Sequence, residues 1–287
     1  VIKTLPNETA IRAWVADGGA RLLYVHATGV VAEVGRRHGV QGEALQLAGE
    51  LVIANLLLAA WVKGEERITL QARLSMPSVT FYGEADAQGV FRGRFKAAYV
   101  PPLAPPQRLA GDLLVIRYDA SHEIYRGGTS FDRLTLEDAL TTHLHQSEQV
   151  DAVARIVVTE DDAWGVMVER MPTEPGRPGI EGQEWRAWST ILSVMPASEI
   201  AENLADGELA GERVEVLEAT PLVFTCRCSE AKVHEMLVSL GAEELDQMIV
   251  EDGGAEVTCH FCNTAIQVNA DVLAALRDIA RGQVAES

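Results

Sequence analysis

The sequence predicts an α+β protein in three parts. These are an N-terminal β-sheet domain with packed helices (residues 1–172), an amphipathic helical linker (173–225) and a small C-terminal domain with four cysteines (226–287). Three observations carry this. Strand-like stretches come in runs with helices grouped apart from them, unlike the alternation of a doubly wound sheet. Pro172, Pro175 and Pro178, with Gly176 and Gly179, interrupt both helix and strand at one place. The charge changes there too: of a net −18 from 42 acidic and 24 basic residues, −4 belongs to residues 1–172 and −7 to each later part.

In the first part, residues 21–25 and 29–34 are short aliphatic, β-branched stretches beside turn residues, which predicts extended chain. Residues 42–62 form the longest helical candidate. Leu45, Leu47, Leu51, Val52, Leu56, Leu58 and Ala59 cover much of its circumference, so it is expected to be buried on most sides. Its apolar run, broken at Asn55, is shorter than the roughly 20 residues that span a bilayer, which predicts a core helix and no membrane association. Residues 68–74, 79–82, 90–95, 113–118 and 154–158 read as strands; Ile68, Leu70 and Ala72 alternate with Thr69, Gln71 and Arg73. Residues 134–149 read as helix, and the proline-rich stretch 101–106 as a stiff loop.

In the second part, Trp185, Trp188, Leu192 and Met195 recur at helical spacing until Pro196. Ile200 and Leu204 continue the pattern, with Ser198 as the expected N-cap. Short, acidic amphipathic helices are marginal alone and need a docking surface. They are either ordinary surface helices or a segment that docks reversibly.

Composition narrows the function. So acidic a surface repels phosphate backbones, which argues against a nucleic-acid partner. The N-terminal stretch lacks a basic region followed by an apolar one, so no signal peptide is expected and the cytoplasm is the expected location. Thiols there are normally reduced, and clustered cysteines read as a metal or redox site. All four lie in Cys226-Arg227-Cys228 and Cys259-His260-Phe261-Cys262. Side chains two apart in extended chain share a face, and Cys-x-x-Cys in a tight turn aims two sulfurs at one point. Four thiolates at about 2.3 Å complete a tetrahedral structural zinc site with no position left for water, and His260 is not needed as a ligand. Between the pairs, Ser229 is expected to cap a helix over 230–240 and a second helix to cover 243–249. Strands 255–257 and 266–268 flank the second pair, and Asn269 caps a last helix to about residue 280. Val233, Met236, Leu237, Leu240, Leu245, Met248 and Ile249 make a thin core for some sixty residues, and zinc supplies a staple. Each cysteine has a neighbour able to resolve a sulfenic acid, so the site is either an inert structural knuckle or an oxidant-sensitive one.

The sequence resembles the Hsp33 family of redox-regulated chaperones. The match is strongest in Cys226-x-Cys228 and in Val257-Thr258-Cys259-His260-Phe261-Cys262-Asn263, with Ser239-Leu240-Gly241 and Glu243-Glu244-Leu245 between them. Ser147-Glu148-Gln149, Lys63-Gly64-Glu65-Glu66-Arg67, and Asp17-Gly18 with Arg21 also fit, so the likeness spans essentially the whole chain. Departures fall in the N-terminal sheet, at Leu74-Ser75-Met76-Pro77, Arg92-Gly93-Arg94 and Trp164-Gly165-Val166. The resemblance implies a holdase that works without ATP and is inactive while reduced, with one zinc on Cys226, Cys228, Cys259 and Cys262. Oxidation would pair Cys226 with Cys228 and Cys259 with Cys262, release zinc and unfold the C-terminal part and linker. Surface on linker and N-terminal domain would then hold unfolding client proteins, with Trp185, Trp188, Leu192 and Met195 as candidates. The resemblance also implies a homodimer when oxidised.

Two other classes were weighed. An enzyme is not expected: G-x-S-x-G, H-E-x-x-H, Walker A and G-x-G-x-x-G motifs are missing, and the residues after Cys262 read as a strand rather than the helix a thioredoxin-like site needs. A constitutive zinc-stabilised protein-interaction module without redox switching is the alternative.

Overall fold

A computed structural model describes residues 7–15, 19–102, 106–172, 180, 182–209 and 211–285. Asp17-Gly18, the middle of the proline-rich loop and the proline–glycine boundary at 173–179 lie outside them. The chain divides into two compact units, Val1–Thr225 and Cys226–Ser287.

The first unit contains two sheets. β1 (Thr9–Val15) and β2 (Ala20–His26) form a hairpin, followed by α1 (Thr28–His38) and α2 (Gly42–Ala59). Then come β3 (Glu66–Met76), β4 (Val79–Asp86), β5 (Val90–Ala97), β6 (Leu109–Asp119) and β7 (His122–Leu134). α3 (Leu136–His143) runs into a π-helical turn, Leu144–Glu148, before β8 (Ala152–Val158) and β9 (Ala163–Arg170). The remainder of the unit is α4 (Gly182–Val194), α5 (Ala197–Asp206), β10 (Glu208–Leu209), β11 (Glu212–Pro221) and β12 (Val223–Phe224). The first sheet has the order β10-β11-β1-β2-β9-β8, and the second β12-β5-β4-β3-β6-β7. All pairings are antiparallel except that of β12 with β5.

α2 behaves as its composition dictates. It packs against β2, β8 and β9 of one sheet and β3, β4 and β5 of the other, which leaves every residue from Leu47 to Ala59 except Glu50 buried. Among the described residues it is the one helix long and apolar enough to cross a membrane, and 67% of that window is buried inside the protein. Its close approach to the first sheet depends on Gly165, where an added Cβ would lie 2.4 Å from Ile53 Cγ2.

Residues 29–34, expected to be extended, are helical. Val30, Val31 and Val34 form one buried stripe of α1, and this tertiary contact outweighs their β propensity. Arg36, Arg37 and His38 fall in its last turn, where cations favour the helix dipole, and Gly39 ends it in the left-handed conformation.

The segment expected to be helical throughout is helical only to Asp206. α4 and α5 lie on the face of the first sheet turned away from α2. There Trp188, Leu192, Met195, Ile200 and Leu204 join Ile11, Ala13, Leu22, Tyr24, Trp164 and Val166 in a second core. Pro196, not Ser198, holds the N-cap position of α5, because the helix starts at Ala197 and Ser198 is already inside its first turn. Two arginines from the sheet clasp this cover. Arg155 donates to the carbonyls of Leu192 (3.2 Å) and Met195, and Arg170 donates to that of Ile180 (2.7 Å). β11 then pairs along β1, with a bulge between Arg12 and Ala13. β12 adds to the edge of the second sheet, Thr225 N–H reaching Phe91 O at 2.9 Å.

The second unit holds α6 (Glu230–Leu240), α7 (Ala242–Glu251), the hairpin of β13 (Gly254–Thr258) and β14 (Ala265–Asn269), and α8 (Ala270–Ala285). Ser229 caps α6 through Lys232 N–H, and Asn269 caps α8 through Val272 N–H, both as expected. The core is Val233, Leu237, Leu245, Val268, Leu273, Leu276 and Ala280. Met236 and Leu240, expected inside, are exposed, while Val268, Leu273, Leu276 and Ala280 join the core and Met248 and Ile249 pack against it.

Candidate metal centre

The four cysteines are placed by two local structures. Cys226 and Cys228 sit in the extended segment between β12 and the Ser229 cap of α6. Cys259 and Cys262 sit in the turn joining β13 to β14. That turn is closed by Asn263 N–H to Cys259 O (2.8 Å) and Cys259 N–H to Thr264 O (2.9 Å), with Asn263 in the left-handed region at φ 56°. Asparagine tolerates that conformation better than most side chains.

The four Sγ atoms lie within 4.8 Å of one another. Cys226 and Cys259 approach to 3.6 Å, and Cys228 and Cys262 to 3.4 Å. All four are free thiols. Metal–sulfur bonds of about 2.3 Å place tetrahedral sulfurs about 3.8 Å apart, so the spacing fits one tetrahedral divalent ion held by four sulfurs. Among the described residues this is the one group of histidine, cysteine or carboxylate side chains converging in that way. His260 is exposed and is not part of it.

Electrostatics agree with a shared site. Burial opposes ionisation of Cys262, but hydrogen bonds from the Thr264 hydroxyl and backbone N–H, then from neighbouring thiols, outweigh it and bring its pKa to about 6. Thr264 Oγ1 is 3.3 Å from Cys262 Sγ. Burial pushes Cys226 and Cys228 up. One thiolate is thus readily formed and further negative charge resisted, until a dication compensates it.

Trp185, Trp188, Leu192 and Met195 lie elsewhere, against the first sheet in the other unit. The last three are buried and Trp185 is half-buried. Sequence reasoning missed the arginine clasp of Arg155 and Arg170. The only available signal was two basic residues within the predicted sheet region of an acidic chain.

These features define a class: an α+β protein that ends in a small unit built around a four-thiol cluster compatible with a metal site. The chain belongs to the Hsp33 protein family, whose model matches residues 8–269. It is 27% identical over 294 residues to the 33 kDa chaperonin of Shouchella clausii, covering 96% of this chain and 99% of that one. It is 28% identical to the 33 kDa chaperonin of Bacillus subtilis, covering 93% and 97%. The fold is shared with the crystal structure of the 33 kDa chaperonin of Thermotoga maritima, at a TM-score of 0.80 and 20% identity over 96% of this chain and 99% of that one.

Proposed function

We propose that the chain is a redox-regulated holdase chaperone that works without ATP, and that Cys226, Cys228, Cys259 and Cys262 are its switch. One observation carries the reading. In a member of this chaperone family, four sulfurs converge in a unit where seven of the described residues form the buried apolar cluster. Zinc is the ion that suits four thiolates and no open position. Its binding, worth roughly 10–16 kcal/mol at neutral pH, is what keeps such a unit folded.

A thiolate attacks peroxide to give a sulfenic acid and hydroxide, which a proton converts to water. A neighbouring thiolate displaces hydroxide from that sulfenic acid, and a proton completes the second water. Each disulfide therefore consumes one peroxide and two thiolates. Two such steps pair Cys226 with Cys228 and Cys259 with Cys262, leave no thiolate for zinc, and release it. The parts then work as residues 1–172, the linker 173–225 and the switch 226–287. Loss of the staple unfolds the switch and frees the linker. The apolar surface around Trp185, Trp188, Leu192 and Met195 then becomes available to unfolding client proteins. The opened form is a homodimer in the cytoplasm, with neither nucleic acid nor membrane as partner.

The test is to treat zinc-loaded protein with peroxide at elevated temperature, following zinc with a chromogenic chelator and the light scattering of a thermally unfolding client. Zinc release and suppressed aggregation are expected to rise together. Zinc retention, or equal activity before and after oxidation, refutes the switch and leaves a constitutive zinc-stabilised interaction module.

A further inference from the structure

The proposed holdase needs a site that recognises unfolded chains of many sequences, and an apolar face alone supplies no direction or register. The structure contains a strand that is both deeply seated and partnered by a replaceable neighbour. β1 is central in the first sheet, between β2 and β11, with Thr9, Ala10, Ile11, Ala13 and Val15 all buried. Its partner β11 belongs to the segment proposed to leave, and so does β10 on the far side of β11.

β11 is poorly rooted for a strand in that position. Of its ten residues only Val214 is buried, Glu215, Leu217 and Glu218 are exposed, and its ladder with β1 is broken by the bulge at Arg12/Ala13. Its side-chain contribution is two alternating valines, Val214 opposite Val15 and Val216 opposite Ala13, supplemented by the Arg12–Glu218 ion pair. The pairing is therefore mostly backbone hydrogen bonds, which any extended chain can supply.

We infer that release of the linker turns β1 into an edge strand and that clients are captured there by strand addition, taking the place of β11. This rests on the holdase reading above. Unpaired N–H and C=O groups of β1 would then lie in a row beside the sheet face bared by α4 and α5, the arrangement in which main-chain bonds give affinity and alternate pockets give preference. The partner this fits is an extended, unfolded polypeptide segment with apolar residues at every second position. The resident strand shows the rule, and its exposed Glu215 shows how a client outcompetes it: a segment with an uncharged residue there, and an acid kept opposite Arg12, binds more tightly than β11 can rebind.

Hydrogen exchange on the full-length oxidised protein tests this. The probe is a peptide copying residues 212–221 with Glu212→Thr and Glu215→Thr, Glu218 being kept for Arg12. Its control is the same peptide N-methylated at alternate backbone nitrogens. Oxidation alone is expected to remove protection from residues 212–221 and from the β1 amides that face them. The peptide is expected to restore protection over residues 9–15 by about tenfold or more, while the methylated control does not. Equal binding of both peptides, or protection elsewhere on the sheet with residues 9–15 still open, overturns strand addition and assigns capture to the apolar face. Persistent protection of residues 212–221 after zinc loss instead overturns the linker release on which the inference rests.

Discussion

Arg155 is the side chain on which docking of α4 depends most directly. From β8 it donates to the carbonyls of Leu192 (3.2 Å) and Met195, and its guanidinium lies 5.4 Å from the centre of the Trp164 ring. Those carbonyls belong to the last turn of α4 and to the residue just after it, where the helix lacks internal donors and a cation is favoured. A hydrogen bond from a charged donor contributes about 1.5–3 kcal/mol, and a partly exposed cation–π contact about 0.5–1 kcal/mol. Water recovers part of this once the carbonyls are freed, so Arg155→Met is expected to weaken docking by about 2–3 kcal/mol, with its stem still covering Trp164. That corresponds to a rise of about 30- to 150-fold in the fraction of molecules with α4 detached. The assay is hydrogen exchange of residues 182–209 in zinc-loaded protein under reductant. Protection should fall by that factor while residues 226–285 keep theirs, and Arg155→Lys should recover only part, because an ammonium lacks the planar fork. Protection within about threefold of the parent protein would refute the clasp.

Three further outcomes are expected. Cys226→Ser removes one of four sulfurs, so zinc should be lost to a competing chelator far more readily; residues 226–285 should exchange faster in reductant while the first unit is unchanged. Gly165→Ala places a Cβ 2.4 Å from Ile53 Cγ2 and 3.1 Å from Leu57 Cδ1. It should cost about 1–3 kcal/mol by urea unfolding, with part recovered by adding Ile53→Leu, which lacks the γ2 methyl. His143 is fully buried, with Nδ1 3.0 Å from Thr129 Oγ1, and burial lowers its pKa to about 4. The unfolded chain takes up that proton near pH 6.5, so the stabilisation is full above that pH and is lost as pH falls toward 4. By NMR the imidazole should stay neutral down to about pH 5, and the stability gap between the parent protein and His143→Gln should narrow as the pH falls over that window.

The metal centre was legible because its geometry is local. Two residues in extended chain and four in a turn fix where sulfurs point, and the caps at Ser229 and Asn269 act within one helical turn of their own residue. α2 was legible because its apolar coverage is nearly all round. What was not legible depends on pairing between distant segments. β11 carries Glu212, Glu215 and Glu218, and only its place beside β1 makes a strand of it. β7, at the edge of the second sheet, exposes most of its side chains and so lacks a buried alternation to read. In β9 the period is lost because α2 covers one face and α4 the other, leaving seven of eight residues buried. The valines of α1 were misread for the converse reason: their β preference is real, but the contact that overrides it lies elsewhere in the chain.

The same separation of local from distant bonds bears on where the charge falls in the proposed switch. From β11 to Thr225 the chain enters both sheets of the first unit, and Cys226 follows Thr225 directly, one peptide bond from a hydrogen bond to Phe91. With residues 226–287 folded, their net −7 is confined to a compact unit. With them unfolded, a disordered tail of net −7 hangs from a segment that is itself −7. Like charges within about a Debye length, roughly 8 Å at physiological salt, then oppose every compact arrangement of the two. Little in β11 counters this, since only Val214 is buried. The docking that remains is the α4–α5 face and two arginine clasps. If the linker is released as proposed, the acidic composition acts on the balance between its docked and released states. Raising the salt concentration should accordingly favour redocking after zinc loss, and more steeply in the parent protein than in a variant with Glu212, Glu215 and Glu218 changed to glutamine.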